Sequence, residues 1–253
     1  MLELKNITKV FSPGTVNEHM LFRHFDFTVP DGQFISVVGS NGSGKTSLLN
    51  LICGSIAADE GSILIDGRDV TRMKEHKRCR IIGRVYQNPA MGTCGSMTIL
   101  ENMAMADNKN RPYNITPGVN RKRIGEYRDL LASLNLGLED KLNVPVSSLS
   151  GGQRQALALL MTTLTPIRFL ILDEHTAALD PRTAEIIMQL TGQIVAQKKL
   201  TTLMVTHNLR YALEYGDRLV MMQLGQVAYD KEGAEKRALS MNDVTGLFHQ
   251  MEG

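Results

Sequence analysis

The chain has 253 residues, 43% hydrophobic and 21% charged, which excludes a disordered or collagen-like chain and leaves enough apolar material for a sizeable core. Its 28 Lys and Arg against 26 Asp and Glu give a net charge of +2, which predicts no polyanionic partner while leaving a local basic patch open. Cys53, Cys79 and Cys94 are odd in number and form no CxxC pair, which argues against a disulfide framework or a cysteine zinc site and fits a reducing cytosol.

The opening residues, MLELKNITKV, carry an early acidic residue and no apolar core, so no signal peptide is expected. Leu2, Leu4 and Ile7 predict an edge strand, and Met20–Val29 alternates apolar and polar residues as a half-buried strand does. After the turn dipeptide Asp31-Gly32, Phe34–Val38 reads as a short buried strand, followed by a glycine-rich turn and a helix over Lys45–Ile56. Ser62–Ile65 and Ile81–Val85 are further strands, separated by Arg72–Arg80, the densest basic run. From Asn88 to Ser150 the pattern becomes helical, at Thr98–Ala106 and Arg121–Leu136, with Asp107–Asn114 as a polar loop. This block is read as a helical subdomain inserted into an α/β core. The α/β rhythm then returns: helix Gly152–Leu164, strand Phe169–Leu172, helix Arg182–Gln197, strand Thr201–Thr206, a hairpin through Gly225 and a helical tail. The richest apolar stretch, Ala156–Leu172, is broken by Pro166 and Arg168 and falls short of the ~18 uncharged residues of a membrane span. Membrane attachment is therefore expected only through a partner.

The strongest local signal is Gly39-Ser40-Asn41-Gly42-Ser43-Gly44-Lys45-Thr46, a full match to GxxxxGK[ST] between a strand and a helix. Glycines let such a loop curl so that backbone N–H groups face one centre, and the helix offers its positive end to an anion. Lys45 is expected on the β- and γ-phosphates of a nucleotide, Thr46 on Mg2+ and Ser47 on the α-phosphate. Asp173 and Glu174 end a buried strand, where open α/β sheets bind ligands. There Asp173 suits a Mg2+ partner and Glu174 a residue that polarises attacking water. Without the glycine loop, the same pair would read as two solvated carboxylates.

Leu149-Ser150-Gly151-Gly152-Gln153 matches the LSGGQ signature, and the chain resembles the ATP-binding-cassette (ABC) transporter ATPases over nearly its whole length. The motifs come in that family's order: glycine loop, Gln87 in Val85-Tyr-Gln-Asn-Pro89, signature, carboxylate strand, Ala177-Ala-Leu-Asp180, and His207 after Val205-Thr206. The resemblance implies an α/β fold: a P-loop NTPase (RecA-like) core with an N-terminal antiparallel β-subdomain over residues 1–87 and 151–253, and an inserted α-helical subdomain over 88–150. It implies ATP and Mg2+ as ligands. Ser150, Gly151, Gly152 and Gln153 would face the γ-phosphate held by a second copy, closing a head-to-tail dimer over two ATP molecules. Gln87 would touch Mg2+ or the attacking water, His207 the γ-phosphate and Glu174, Asp180 the dimer interface, and Phe11 the adenine. His175 stands where Pro is more usual, and Ala156 and Met161 stand where arginines often follow the signature.

The implied role is the ATPase subunit of a membrane transporter at the cytoplasmic face of the cell membrane, with separate permease chains and an extracytoplasmic binding protein. The wording Asp-Glu-His-Thr-Ala-Ala-Leu-Asp-Pro181 resembles a branch that serves amino-acid import, with an aromatic amino acid as the expected cargo. No nucleic acid partner is expected from it. Two alternatives stay open: an ATPase acting on nucleic acid or the ribosome, with Arg72–Arg80 meeting phosphates, and a nucleotide-sensing module without turnover. A solvated face is the plainer reading of that basic run.

Overall fold

The computed structural model describes residues 1–111, 115 and 117–252. Alternating burial makes the first two strands: β1 (Leu2–Phe11) buries Leu2, Leu4 and Ile7, and β2 (His19–Val29) buries Leu21, Phe22, Phe25, Phe27 and Val29. β3 (Phe34–Val38) is buried throughout, as a strand covered on both faces must be. α1 (Lys45–Cys53) stops short of the expected Ile56 because Gly54 turns left-handed and caps it. β4 (Glu60–Ile65), β5 (Arg68–Asp69), the one-turn α2 (Glu75–Arg78) and β6 (Ile82–Val85) follow. α3 (Ile99–Asp107) opens on a capping box between Thr98 and Glu101. α4 (Ile124–Ala132) is shorter than expected, because Arg121–Arg123 form a tighter 3-10 turn. Asp107, expected in a loop, closes α3; the Pro112–Asn114 part of that loop lies outside the described residues. Then come α5 (Gly151–Thr162), β7 (Phe169–Asp173), α6 (Pro181–Lys198), β8 (Thr201–Val205) and α7 (Leu209–Glu214). The hairpin β9 (Arg218–Gln223) and β10 (Gln226–Glu232) leads to α8 (Gly233–Arg237) and α9 (Met241–Glu252).

These elements form two units. The first comprises Met1–Ile82, Arg168–Glu174 and the chain from Lys199. It holds an antiparallel sheet of order β2-β1-β4-β5. β1 is therefore no edge strand: Leu2 pairs with Val29 of β2 on one side and Ile65 of β4 on the other. Alternation tells which face of a strand is buried, whereas its neighbours are set by pairing across long stretches of chain. The second sheet of this unit runs β10-β9-β3-β8-β7, parallel except for the hairpin strand β10. One core joins the two sheets and α1, through residues such as Leu4, Phe25, Ile35, Leu48, Ile63, Ile171 and Leu203. On the other face Val38, Leu219 and Met221 pack with Val244 of α9.

Arg78, inside the basic run, is 2% exposed. Its guanidinium donates to the carbonyls of Leu51 and Ile52 in the last turn of α1, and to those of Thr71 and Met73. It thereby supplies a donor to the Ile52 carbonyl and a second one to the Leu51 carbonyl, which also accepts from the cap residue Gly54 N–H (3.2 Å). That residue is structural, so the run is not a uniformly solvated basic face.

The second unit comprises Gly83–Ile167 and His175–Lys198. Its helices α3, α4 and α6 each touch α5, whose Ala156, Leu157 and Leu159 are fully buried. Asp107 accepts from the Tyr127 hydroxyl (3.0 Å) and from Arg123, which ties α3 to α4.

Candidate nucleotide site

The glycine loop follows β3 directly. A side chain at Gly39 would overlap the Met222 carbonyl of β9, and Gly44, at φ 103°, lies against the Phe22 ring. Bare backbone is thus required where the loop passes the sheet. Gly44 caps α1, so the positive end of a nine-residue helix opens at Lys45–Ser47.

Lys45 is buried, and its Nζ donates to the carbonyls of Gly39 (2.7 Å) and Ser40 (2.8 Å) and approaches the Ser43 hydroxyl (3.4 Å). All three acceptors are neutral. Burial holds the Lys45 ammonium below its ordinary pKa, partly offset by the charge of Glu174. A desolvated cation without a bonded counter-ion is a strong attractor for an anion.

Glu174 follows the last residue of β7, with its N–H on the Val205 carbonyl (2.9 Å) and φ at 47°, a left-handed backbone unusual outside glycine. The His207 Nε2 lies 2.6 Å from Glu174 Oε1. His207 follows β8 in a short link fixed by Thr206, whose hydroxyl accepts from Asn208 N–H, and by Asn208, which caps α7. One cavity of about 320 Å³ is lined by Phe11, His19, Leu21, Asn41, Gly42, Gly44, Lys45, Thr46, Ser47, Glu174 and His207. The first unit thus gathers the loop, the helix end, a carboxylate–imidazole pair and an aromatic ring around one space. Gly39, Ser40 and Ser43 hold Lys45, and Asp173 precedes Glu174 at the end of β7.

His19 and Leu21 are lining residues that the motif reading missed. The β1–β2 register pairs Phe11 with His19, so the missing signal was strand pairing rather than any motif.

The residues present fit a magnesium nucleotide. Glycine backbone and an ammonium held by neutral acceptors line the space a polyphosphate would take. Among the described residues no group of three or more His, Cys, Asp or Glu could hold a metal on its own. Thr46 lines the cavity, whereas Asp173, at the end of β7, is not among its lining residues; a hydroxyl and a carboxylate are donor types that Mg2+ takes alongside waters and phosphate oxygens.

The second unit carries the other motif residues. Ser150 caps α5: its hydroxyl accepts from Gln153 N–H and the Gln153 side chain accepts from Ser150 N–H, both at 3.2 Å. The Gln153 amide also donates to the Leu136 carbonyl (3.1 Å). Gly151 lies against Leu179, and a side chain at Gly152 would overlap Thr183, so the signature glycines sit tight on the loop and helix that follow β7. Asp180 accepts from Thr183 N–H (3.1 Å), and Thr183's bonds hold its carboxyl below the usual range. Gln87 lies between Tyr86 and the Asn88-capped turn Pro89–Met91.

Residues 22–177 match the ABC transporter family. A tyrosine transport ATP-binding protein of Clostridioides difficile is 43% identical over 248 residues, 98% of this chain and 98% of its own. A sulfate/thiosulfate import ATP-binding protein of Acinetobacter baylyi is 34% identical, over 100% of this chain and 69% of its own. A spermidine/putrescine import ATP-binding protein of Haemophilus ducreyi is 32% identical, and the match spans 91% of this chain but 57% of that longer relative. Among solved structures, a dimeric ATP-binding cassette in a post-hydrolysis state, bound to ADP and Pi, superposes with a TM-score of 0.77 at 27% identity, covering 92% of this chain and 98% of its own.

Proposed function

The chain belongs to the ABC transporter family as an ATP-hydrolysing subunit, and from that premise we propose that it powers import of an amino-acid-like solute through separate permease chains. The observation that carries the reading is the buried Lys45, bonded to neutral acceptors, beside the Glu174–His207 pair in one cavity.

In this mechanism Lys45 and the N–H groups of residues 39–47 bind the phosphates, with Ser47 at the α-phosphate and Phe11 stacked on the adenine. Thr46 and Asp173 would hold Mg2+, with Gln87 touching the ion or the attacking water; the ion supplies charge neutralisation at the phosphates. Glu174 orients water and takes its proton as the oxygen bonds the γ-phosphorus and the bond to the leaving oxygen breaks, giving ADP and phosphate. His207 fixes the Glu174 carboxylate and bonds the γ-phosphate. Ser150, Gly151, Gly152 and Gln153 of a second copy complete the site in a head-to-tail dimer, with Asp180 at the interface. Binding drives closure through its higher affinity for the closed pair, and hydrolysis reopens it.

The family relatives support the transport role: their names describe import or transport ATP-binding proteins, one of them for tyrosine. An aromatic amino acid is accordingly the proposed cargo, with an extracytoplasmic binding protein as a further partner. No helix among the described residues is long and apolar enough to cross a membrane, consistent with peripheral attachment at the cytoplasmic face.

Glu174→Gln tests the mechanism. It should keep ATP binding, lose about 10²–10³ or more in turnover, and elute as a dimer only with ATP in size-exclusion chromatography with light scattering. Wild-type turnover would overturn the assignment of Glu174. Labelled tyrosine or tryptophan uptake should vanish in cells lacking the chain and return on complementation; unaffected uptake of both would overturn the cargo.

A further inference from the structure

Two side-chain amides near the start of α5 point to different segments of the second unit. Residues two apart on a helix face apart. Gln153 reaches the Leu136 carbonyl, whereas Gln155 donates from Nε2 to the carbonyl of Tyr86 at 3.1 Å, the residue before Gln87. Gln155 is fully buried, and its Oε1 is enclosed without a hydrogen-bond partner among the described residues.

Burying an amide oxygen without a partner carries a cost, because its bonds to water are lost and not replaced. A leucine or methionine would fill similar volume without that cost, so simple packing does not account for a glutamine here. What the amide supplies is the bond to Tyr86. Farther along, α5 also approaches the same segment where Ala158 faces Gly92. The segment is itself stiff: Asn88 Oδ1 accepts from Ala90 N–H (3.0 Å), and the Pro89 carbonyl accepts from Gly92 N–H (3.1 Å) and the Thr93 hydroxyl (2.9 Å). A stiff segment held at Tyr86 keeps Gln87 in a fixed relation to the helix that Ser150 caps.

We infer that Gln155 is a positioning residue, which holds Gln87 in register with Ser150 so that the two move as one piece of the second unit. The inference rests on the proposed roles of Gln87 and Ser150.

A double-mutant cycle on the full-length chain tests it, with Gln155→Leu and Gln87→Ala alone and combined. Steady-state ATPase kinetics and titration with a fluorescent ATP analogue are the readouts. Gln155→Leu should lower kcat about tenfold while KM and analogue affinity stay within about twofold. In the Gln87→Ala background the same change should alter kcat by less than about twofold, because a residue acting through Gln87 has nothing further to lose. Should the leucine variant misfold, Gln155→Met gives the same cycle with an unbranched side chain. Equal losses in both backgrounds, a wild-type kcat for either single variant, or a KM effect alone would overturn the inference. Lys45→Ala is measured alongside. If it still binds the analogue, the nucleotide reading fails; if it does not bind and the cycle is additive, only the role of Gln155 fails.

Discussion

Acidification should weaken this protein through one histidine in particular. His175 is 2% exposed, and its Nε2 lies 3.1 Å from the Thr191 hydroxyl oxygen. That hydroxyl donates its single proton to the Ile187 carbonyl (2.7 Å) and must therefore accept from the ring. The ring therefore carries a proton on Nε2, and burial, which pushes its pKa down from 6.5 to about 4, keeps it neutral near pH 7. Below 6.5 the unfolded chain takes up a proton that the folded chain refuses, so stability is lost as pH falls through the interval from 6.5 to about 4. At 1.36 kcal/mol per pKa unit the full interval is worth roughly 3 kcal/mol, of which about 2 kcal/mol is already lost by about pH 5. His175→Gln keeps a donor for Thr191 and cannot titrate. Urea unfolding of both proteins at about pH 7.5, 6 and 5 isolates the contribution, because every other titrating group cancels in the difference. The wild-type protein should lose about 2 kcal/mol more than the variant between the extremes. Parallel stability–pH curves would show that the ring is not held neutral and would refute the reasoning.

Lys45→Ala should weaken nucleotide binding by roughly 2–5 kcal/mol, since it removes the buried charge that faces the phosphates; an unchanged isotherm with a fluorescent analogue would contradict this. Arg78→Leu withdraws the donor from four backbone carbonyls and should cost roughly 3 kcal/mol. A drop in the thermal midpoint of about 6–12 °C is expected for a chain of this size, with partial recovery in Arg78→Lys, read by differential scanning calorimetry.

The phosphate loop was legible because its chemistry is local: eight consecutive residues specify the curl, the ammonium and the helix start. Glu174 was read from its place at the end of a buried strand and His207 only from the family resemblance; the fold accounts for their meeting, since adjacent parallel strands deliver their C-terminal ends to the same place. The interior position of β1 was not legible, because its second partner, β4, pairs in a register that no local pattern encodes. His19 was missed for the same reason. Arg78 read as one charge in a basic run, yet it spans 27 residues to the Leu51 carbonyl, and neither its burial nor its acceptors leave a trace in composition. Gln155 sits in an apolar helical stretch and gave no signal, because its importance lies in facing Tyr86.

Capping at both extremities has a mechanical meaning for α1. At one extremity Gly44 is wedged against Phe22, with the neighbouring Ser43 carbonyl bonded to Gly225 N–H; at the other, the Arg78 guanidinium clamps the final carbonyls. A rod pinned in this way cannot slide along its own axis to relieve a load. The glycine loop and the Thr71–Arg78 segment thus bear on opposite ends of one short helix.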